Sequence, residues 1–312
     1  PDLRRRNQNP PETGTRMIWK WKNDPRRRTA ALSCWKSNVK PVPLKGGITN
    51  VNFVVEDNGR KYVARIGDDM PVHQVMRFNE LAAAQAAADA GLSPAIIHHE
   101  PGALVIDFID GKTLTASDVQ EPAMLARIVP LLKKCHRDIP KFLRGPVLAF
   151  WVFHVVRDYG WTLKAGKSRH IKLLPDFLAA ADKLEQAVGP IDMVFGHNDL
   201  LPGNFIDDGN RLWLIDWDYA GFNSPLFDLG GLASNNELLP DAETWLLEAY
   251  FERAVSDELL RRYAAMKCAS LLRETMWSMV SEIHSKIDFD YAAYTAENLS
   301  RFNTAYSAFN RT

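Results

Sequence analysis

His197, Asp199, Leu200 and Asn204 stand in the spacing H-x-D-L-x-x-x-N, and an apolar run at 212–215 delivers Asp216 twelve residues past Asn204. Two carboxylates and an amide in this order suit phosphoryl transfer. One carboxylate takes the proton of an attacking hydroxyl, and two oxygen donors hold the Mg²⁺ ions that neutralise phosphate charge. Asp199 is read as the base, with Asn204 and Asp216 as the metal ligands. The plainer alternative is a turn, because Asp207-Asp208-Gly209-Asn210 has ordinary turn composition and Asn204 is itself a turn-type residue. The turn joins a short strand at 205–206 to a longer one, so Asn204 and Asp216 fall at opposite ends of one hairpin. There both can reach one ion.

The four spaced residues also match the catalytic loop of protein kinases, except that Asn198 replaces the arginine after the histidine. Together with Ile215-Asp216-Trp217-Asp218-Tyr219-Ala220-Gly221 and Phe227-Asp228-Leu229-Gly230, they resemble the choline/ethanolamine kinase branch of the aminoglycoside-phosphotransferase-like enzymes, bacterial type. The resemblance extends over about residues 41–305. It implies an α+β, two-lobed protein-kinase-like fold. A basic N-terminal extension (1–40) would precede a small antiparallel-sheet N-lobe (41–107) and a larger, mainly helical C-lobe (108–312) with the catalytic loop and the substrate site. It also implies ATP-dependent phosphorylation of the hydroxyl of a small amino alcohol, choline first and ethanolamine next. Thiamine, amino-sugar and aminoglycoside kinases stay open. The non-enzyme alternative is a nucleotide-binding module, which should lack Asp199, Asn204 or Asp216; all three are present.

Composition narrows the partners. The 312 residues hold 46% hydrophobic and 24% charged residues, ordinary for a globular protein. Residues 1–40 carry 11 Lys and Arg against 3 Asp and Glu, so the net +8 there balances −8 over the rest. A mildly acidic body suits a cationic small molecule and argues against nucleic acid. The longest apolar run is too short to span a bilayer, so no stable membrane insertion is expected. Cys34, Cys135 and Cys268 lack metal-ligand spacing and point to a reducing, cytoplasmic setting. Oligomeric state is not legible.

The positioning elements follow in order. Residues 1–16 read as disordered and Met17 as a plausible start. Trp19, Trp21 and Arg26-Arg27-Arg28 could meet a membrane surface or nucleic acid, against the simpler reading of a basic leader and a helix packing Leu32 and Trp35 on the N-lobe. Lys45-Gly46-Gly47-Ile48-Thr49-Asn50 lies between two strand-like runs, placed to cover ATP phosphates: Gly46 and Gly47 allow close backbone approach, and Thr49 and Asn50 can donate. A plain hairpin is the alternative. The next hairpin turns at Asn58-Gly59. Its second strand alternates Tyr62, Ala64 and Ile66 against Val63 and Arg65. By resemblance, Arg65 holds the α- and β-phosphates, and Glu80, on an alanine-rich helix from Pro71 to Ala90, faces it. A strand at 103–106 leads to a hinge whose backbone near Asp107 and Ile109 would meet adenine. Apolar spacing marks helices at 125–136, 149–159 and 177–188. His136, His154 and His170 read as packing or surface residues.

The substrate site is implied by the resemblance. Asp218 and Tyr219 follow the metal aspartate, and Trp277 and Tyr294 complete an aromatic cage for an ammonium group. Asp228 would stabilise the catalytic loop. Glu274 stands where choline kinases commonly carry a second tryptophan, and Asn235 where they carry a glutamate. Both departures favour an ammonium with N–H groups over choline.

Overall fold

The structure, a computed structural model, describes residues 24–44, 50–285, 287 and 289–311. They divide into two compact units. One runs to Gly67 and takes in Ile97–Phe108; the other comprises Asp68–Ile96 and the chain from Ile109.

The first unit is built on the Asn58-Gly59 hairpin. Both turn residues have positive φ, +52° and +77°, as a tight two-residue hairpin requires. Strands β1 (Val42–Leu44), β2 (Val51–Asp57), β3 (Arg60–Ile66), β4 (Ile96–Glu100) and β5 (Ala103–Asp107) form one sheet in the order β1-β2-β3-β5-β4. The expected alternation on β3 holds: Ala64 and Ile66 join Phe53, Val55, Ala103 and Val105 in the core, with Tyr62 packed against it. Leu32 and Val39 enter the same core, and Trp35 meets Tyr62 at 5.7 Å between ring centroids. The expected helix there is shorter. α1 (Pro25–Ala30), capped by Asp24, stops before Leu32, and the Trp35 indole donates back to Thr29 O at 2.7 Å.

In the second unit the alanine-rich helix also starts late. Pro71–His73 forms a 3-10 turn, Gln74 is left-handed (φ +60°), and Met70 bridges Val75, so α2 covers Arg77–Asp89. Its first turn is wired to this unit: Asn79 Nδ2 donates to Ala220 O and Asn79 Oδ1 accepts Leu148 N, each at 2.8 Å. The helix read as N-lobe thus groups with the larger unit. Short strand β6 (Lys112–Thr113) precedes helices α3 (Ala116–Gln120), α4 (Pro122–Asp138), α5 (Val152–Ala165) and α6 (Leu174–Val188). Then come β7 (Val194–Gly196), β8 (Phe205–Asp207), β9 (Leu212–Leu214) and β10 (Gly221–Asn223). β7 pairs with β10, and β6, β8 and β9 form a second small sheet. Helices α7 (Pro225–Asn235), α8 (Pro240–Phe251), α9 (Asp257–His284) and α10 (Tyr291–Phe309) close the chain. α9 packs against α5, α6, α7 and α10 and is buried along much of its length, which makes its polar residues informative.

Candidate active site

The loop carrying Asp199 hangs on Asp228, in the first turn of α7. Asp228 Oδ2 accepts the His197 amide at 2.8 Å and Oδ1 accepts the Asn198 amide at 2.7 Å. His136 on α4 hydrogen-bonds Oδ2 through Nε2 at 2.9 Å, and its Nδ1 meets the Tyr250 hydroxyl at 2.7 Å. Burial pushes the Asp228 carboxyl up, but the His136 hydrogen bond and the loop amides outweigh it and hold it below the usual range. His136, read as a packing residue, is therefore a brace for this loop. Only the fold brings it to Asp228, 92 residues away.

Asn198 has a second task. It sits at φ +63°, a region asparagine tolerates better than most residues. Its Nδ2 donates to Tyr219 O at 3.0 Å and Gly221 O at 3.2 Å, while its Oδ1 accepts from Asn223 at 3.0 Å. The residue standing in for the kinase arginine thus ties the loop to the segment after Asp216. Gly196 permits this: a Cβ there would lie 2.7 Å from Asn198 Oδ1 and 3.2 Å from Asp228 Oδ2. His197 is fully buried, with Nε2 on Ile215 O at 2.9 Å and its ring 4.7 Å from Trp217.

β8 and β9 pair with Phe205 opposite Leu214, and Ile215 N donates to Asn204 O at 3.0 Å. The two ends of the hairpin therefore meet, as their spacing predicts. Asn204 Nδ2 donates to Asp199 O at 2.8 Å, which leaves the amide oxygen as the atom offered to a ligand. Asp216 follows at φ +70°. An amide oxygen and a carboxylate are the hard donors that Mg²⁺ takes, so this pair fits the ion. Among the described residues, no three His, Cys, Asp or Glu side chains converge as a metal nest. An ion here would draw on Asn204, Asp216 and ligands it brings. Asp199 is pushed up to about 8, by burial first and then by Glu274, Asp216 and Asp218, with Arg273 opposing.

The other candidates divide. Glu80 pairs with Arg77 of its own helix at 2.6 Å, and the same Arg77 nitrogen holds Asp218 at 2.9 Å. Asp218 is 3% exposed, so it is engaged with an arginine as well as adjacent to the metal pair. In the first unit, Arg65 is buried on β3 opposite Asn52 and Leu104, and Asn50 is buried. The Asp107 carboxylate receives Arg60 at 2.6 and 2.7 Å, while its backbone pairs with Tyr62. Ile109 opens the second unit's return. Gly46, Gly47 and Thr49 lie outside the described residues.

The three aromatic candidates come together. The Trp277 indole donates to the Tyr219 hydroxyl at 2.8 Å, and the Trp277 and Tyr294 rings are 6.4 Å apart, edge to face. Trp277 is 3% exposed, with His73 5.0 Å from it. The Tyr294 hydroxyl donates to Glu274 Oε1 at 2.7 Å. Sequence reading missed Arg273, whose guanidinium lies 4.2 Å from the Tyr219 ring centroid. The Tyr219 face that the resemblance assigns to an ammonium thus holds the chain's own cation. The available signal was the spacing, since Arg273 precedes Trp277 by one helical turn.

The choline/ethanolamine kinase family matches residues 42–238. Protein LicA of Haemophilus influenzae is 27% identical over 264 residues, covering 81% of this chain and 76% of its own. A probable ethanolamine kinase of Arabidopsis thaliana is 28% identical, covering 80% and 75%. Among solved structures, a choline/ethanolamine kinase family protein of Mesorhizobium loti superposes with a TM-score of 0.72 at 26% identity, covering 91% of this chain and 94% of the other.

Proposed function

The chain belongs to the choline/ethanolamine kinase family, and from that premise we propose that it transfers the γ-phosphoryl of ATP to the hydroxyl of a small amino alcohol, choline or ethanolamine. The observation that carries this reading is the joining of Asn204 to Asp199 and of both hairpin ends beside Asp216. The substrate hydroxyl oxygen attacks the γ-phosphorus, the bond to the ADP oxygen breaks, and the hydroxyl proton passes to Asp199. A base pushed up to about 8 is matched to proton transfer near neutral pH. Asn204 and Asp216 would hold Mg²⁺, which when bound neutralises phosphate charge. Arg65, with Gly46, Gly47, Thr49 and Asn50, is assigned to the nucleotide phosphates, and the backbone at Asp107 and Ile109 to the adenine. Glu80 and Asp218 reach the site through Arg77, and Tyr219, Trp277 and Tyr294 are assigned to the substrate end.

No helix among the described residues is long and apolar enough to cross a membrane, and we place the reaction in the cytoplasm. The test is steady-state phosphorylation of choline, ethanolamine, thiamine and kanamycin side by side, with Asp199→Asn as control. Choline or ethanolamine should be turned over best. Asp199→Asn should keep nucleotide affinity and lose roughly 100-fold or more in kcat. Normal turnover by that variant removes Asp199 from the mechanism. Thiamine or kanamycin turned over best moves the enzyme to another substrate class.

A further inference from the structure

The outer face of α4 carries a positive cluster that the proposed reaction does not use. Lys133, Lys134 and Arg137 recur at helical spacing, and Lys141 follows one turn later. They line a cavity of about 440 Å³ together with Asp138 and Glu252. Four cations outnumber the two carboxylates and the half charge of the helix C-terminus. The cluster also runs against a chain that is net −8 beyond residue 40.

The bonds inside the cluster leave donors over. Lys141 pairs with Asp138 at 2.7 Å and Lys133 with Glu252 at 2.5 Å. Lys133 is only 14% exposed, whereas the Glu252 side chain is 74% exposed, so a mostly desolvated ammonium leans on a carboxylate that water surrounds. Arg137 Nε donates to Lys133 O at 3.2 Å, which leaves its two Nη groups. Lys134 and those Nη groups enter no ion pair among the described residues. Like charges held side by side repel each other, and an anion between them removes the repulsion.

The cavity shares its chain segments with the support of the catalytic loop. α4 packs against α8; Arg137 directly follows His136, and Glu252 lies two residues past Tyr250. On the inner face the Tyr250 hydroxyl meets His136 Nδ1 at 2.7 Å, and His136 Nε2 meets Asp228 at 2.9 Å. Asp228 in turn holds the amides of His197 and Asn198. An opening that frees those amides by parting α4 from α8 would also pull the cavity apart.

We propose that this cavity is a second ligand site, for a soluble phosphomonoester dianion held by Lys134 and Arg137, and that its occupant steadies the catalytic loop through Tyr250, His136 and Asp228. The volume lies within the range of small-molecule sites, and carboxylates on the wall suit a discrete phosphate better than an acidic bilayer. The inference is independent of which alcohol the enzyme phosphorylates.

The test needs no turnover. Calorimetry with glycerol 3-phosphate should give a Kd of about 1 mM or lower, with glycerol and acetate inert. The double variant Lys134→Ala/Arg137→Ala should bind at least about tenfold more weakly, having lost its charge-assisted bonds to phosphate. If it does not fold, Lys134→Ala alone decides, by a weakening of about threefold or more. Hydrogen exchange reads the coupling. At about ten times Kd the amides of residues 195–204 should exchange about tenfold more slowly, the limit when the open form cannot bind. Residues 51–66, in the first unit, should be unchanged. Tyr250→Phe should keep the binding and lose the slowing.

No binding, or binding that the double variant leaves unchanged, overturns the site. Association with phosphatidic acid vesicles in place of glycerol 3-phosphate assigns the cluster to a bilayer and overturns the soluble ligand. Slowing absent from residues 195–204, equal in 51–66, or retained in the double variant overturns the coupling.

Discussion

Asp228 accepts the main-chain N–H of Asn198 at 2.7 Å, and through that bond a helix start fixes the backbone that presents the neighbouring Asp199. The carboxylate is 1% exposed and also holds His197 N and His136. Asp228→Asn keeps the shape but removes the charge and turns one oxygen into a donor facing an amide. The variant should lose about 3 kcal/mol of stability, the scale for breaking a buried ionic network. It should also lower kcat more than it weakens nucleotide binding. Urea unfolding and steady-state kinetics check both; an unchanged urea midpoint would remove Asp228 as the anchor.

Arg77 is the cation between Glu80 and Asp218, at 2.6 and 2.9 Å. Arg77→Met takes from two buried carboxylates the cation they share, and about 3–5 kcal/mol of stability should go with it. Adding Asp218→Asn to that variant should restore part of the loss, because one of the two carboxylates that shared Arg77 is then neutral. A double variant no more stable than the single one shows that the pair is not coupled through Arg77.

Arg65 stands buried on β3. If it holds ATP phosphates, Arg65→Ala should raise the KM for ATP about tenfold or more with the fold intact, since charge-assisted bonds to phosphate are among the stronger ones. Arg65→Lys should recover only part of that loss. Unchanged ATP kinetics in the alanine variant would make this arginine a strand residue alone.

His73 gives a pH signature. Burial first, then the charge of Arg273, pushes it down to about 3. Below pH 6.5 the unfolded chain takes up a proton that the folded protein refuses, so stability falls as pH drops from about 6.5 toward 3. The contribution approaches about 1.4 kcal/mol per pH unit between pH 6 and 4. His73→Phe removes the titration, and its unfolding free energy should fall less steeply with acid by about that slope. Parallel slopes for the two proteins would mean His73 is protonated in the fold.

Spacing, with the family resemblance, was enough to single out Asp199, Asn204 and Asp216 as one group. Asp199, Asn204 and Asp216 lie within one stretch closed by a hairpin, and local turn geometry suffices to bring such residues together. Alternation likewise set which face of β3 is core. The sequence could not show that Leu32 and Trp35 reach the sheet from a coil, because α1 is too short for its periodicity to be read. Nor could it show that the alanine-rich stretch begins with a broken turn, since the Met70–Val75 bridge has no compositional mark. Above all, it could not pair charges across the fold. His136 with Asp228, Arg77 with Asp218 and Arg273 over Tyr219 are contacts between residues 54 to 141 positions apart. Periodicity and spacing report the local backbone, whereas the partner of a buried charge is chosen by packing, which forces whichever polar groups meet in the interior to satisfy one another.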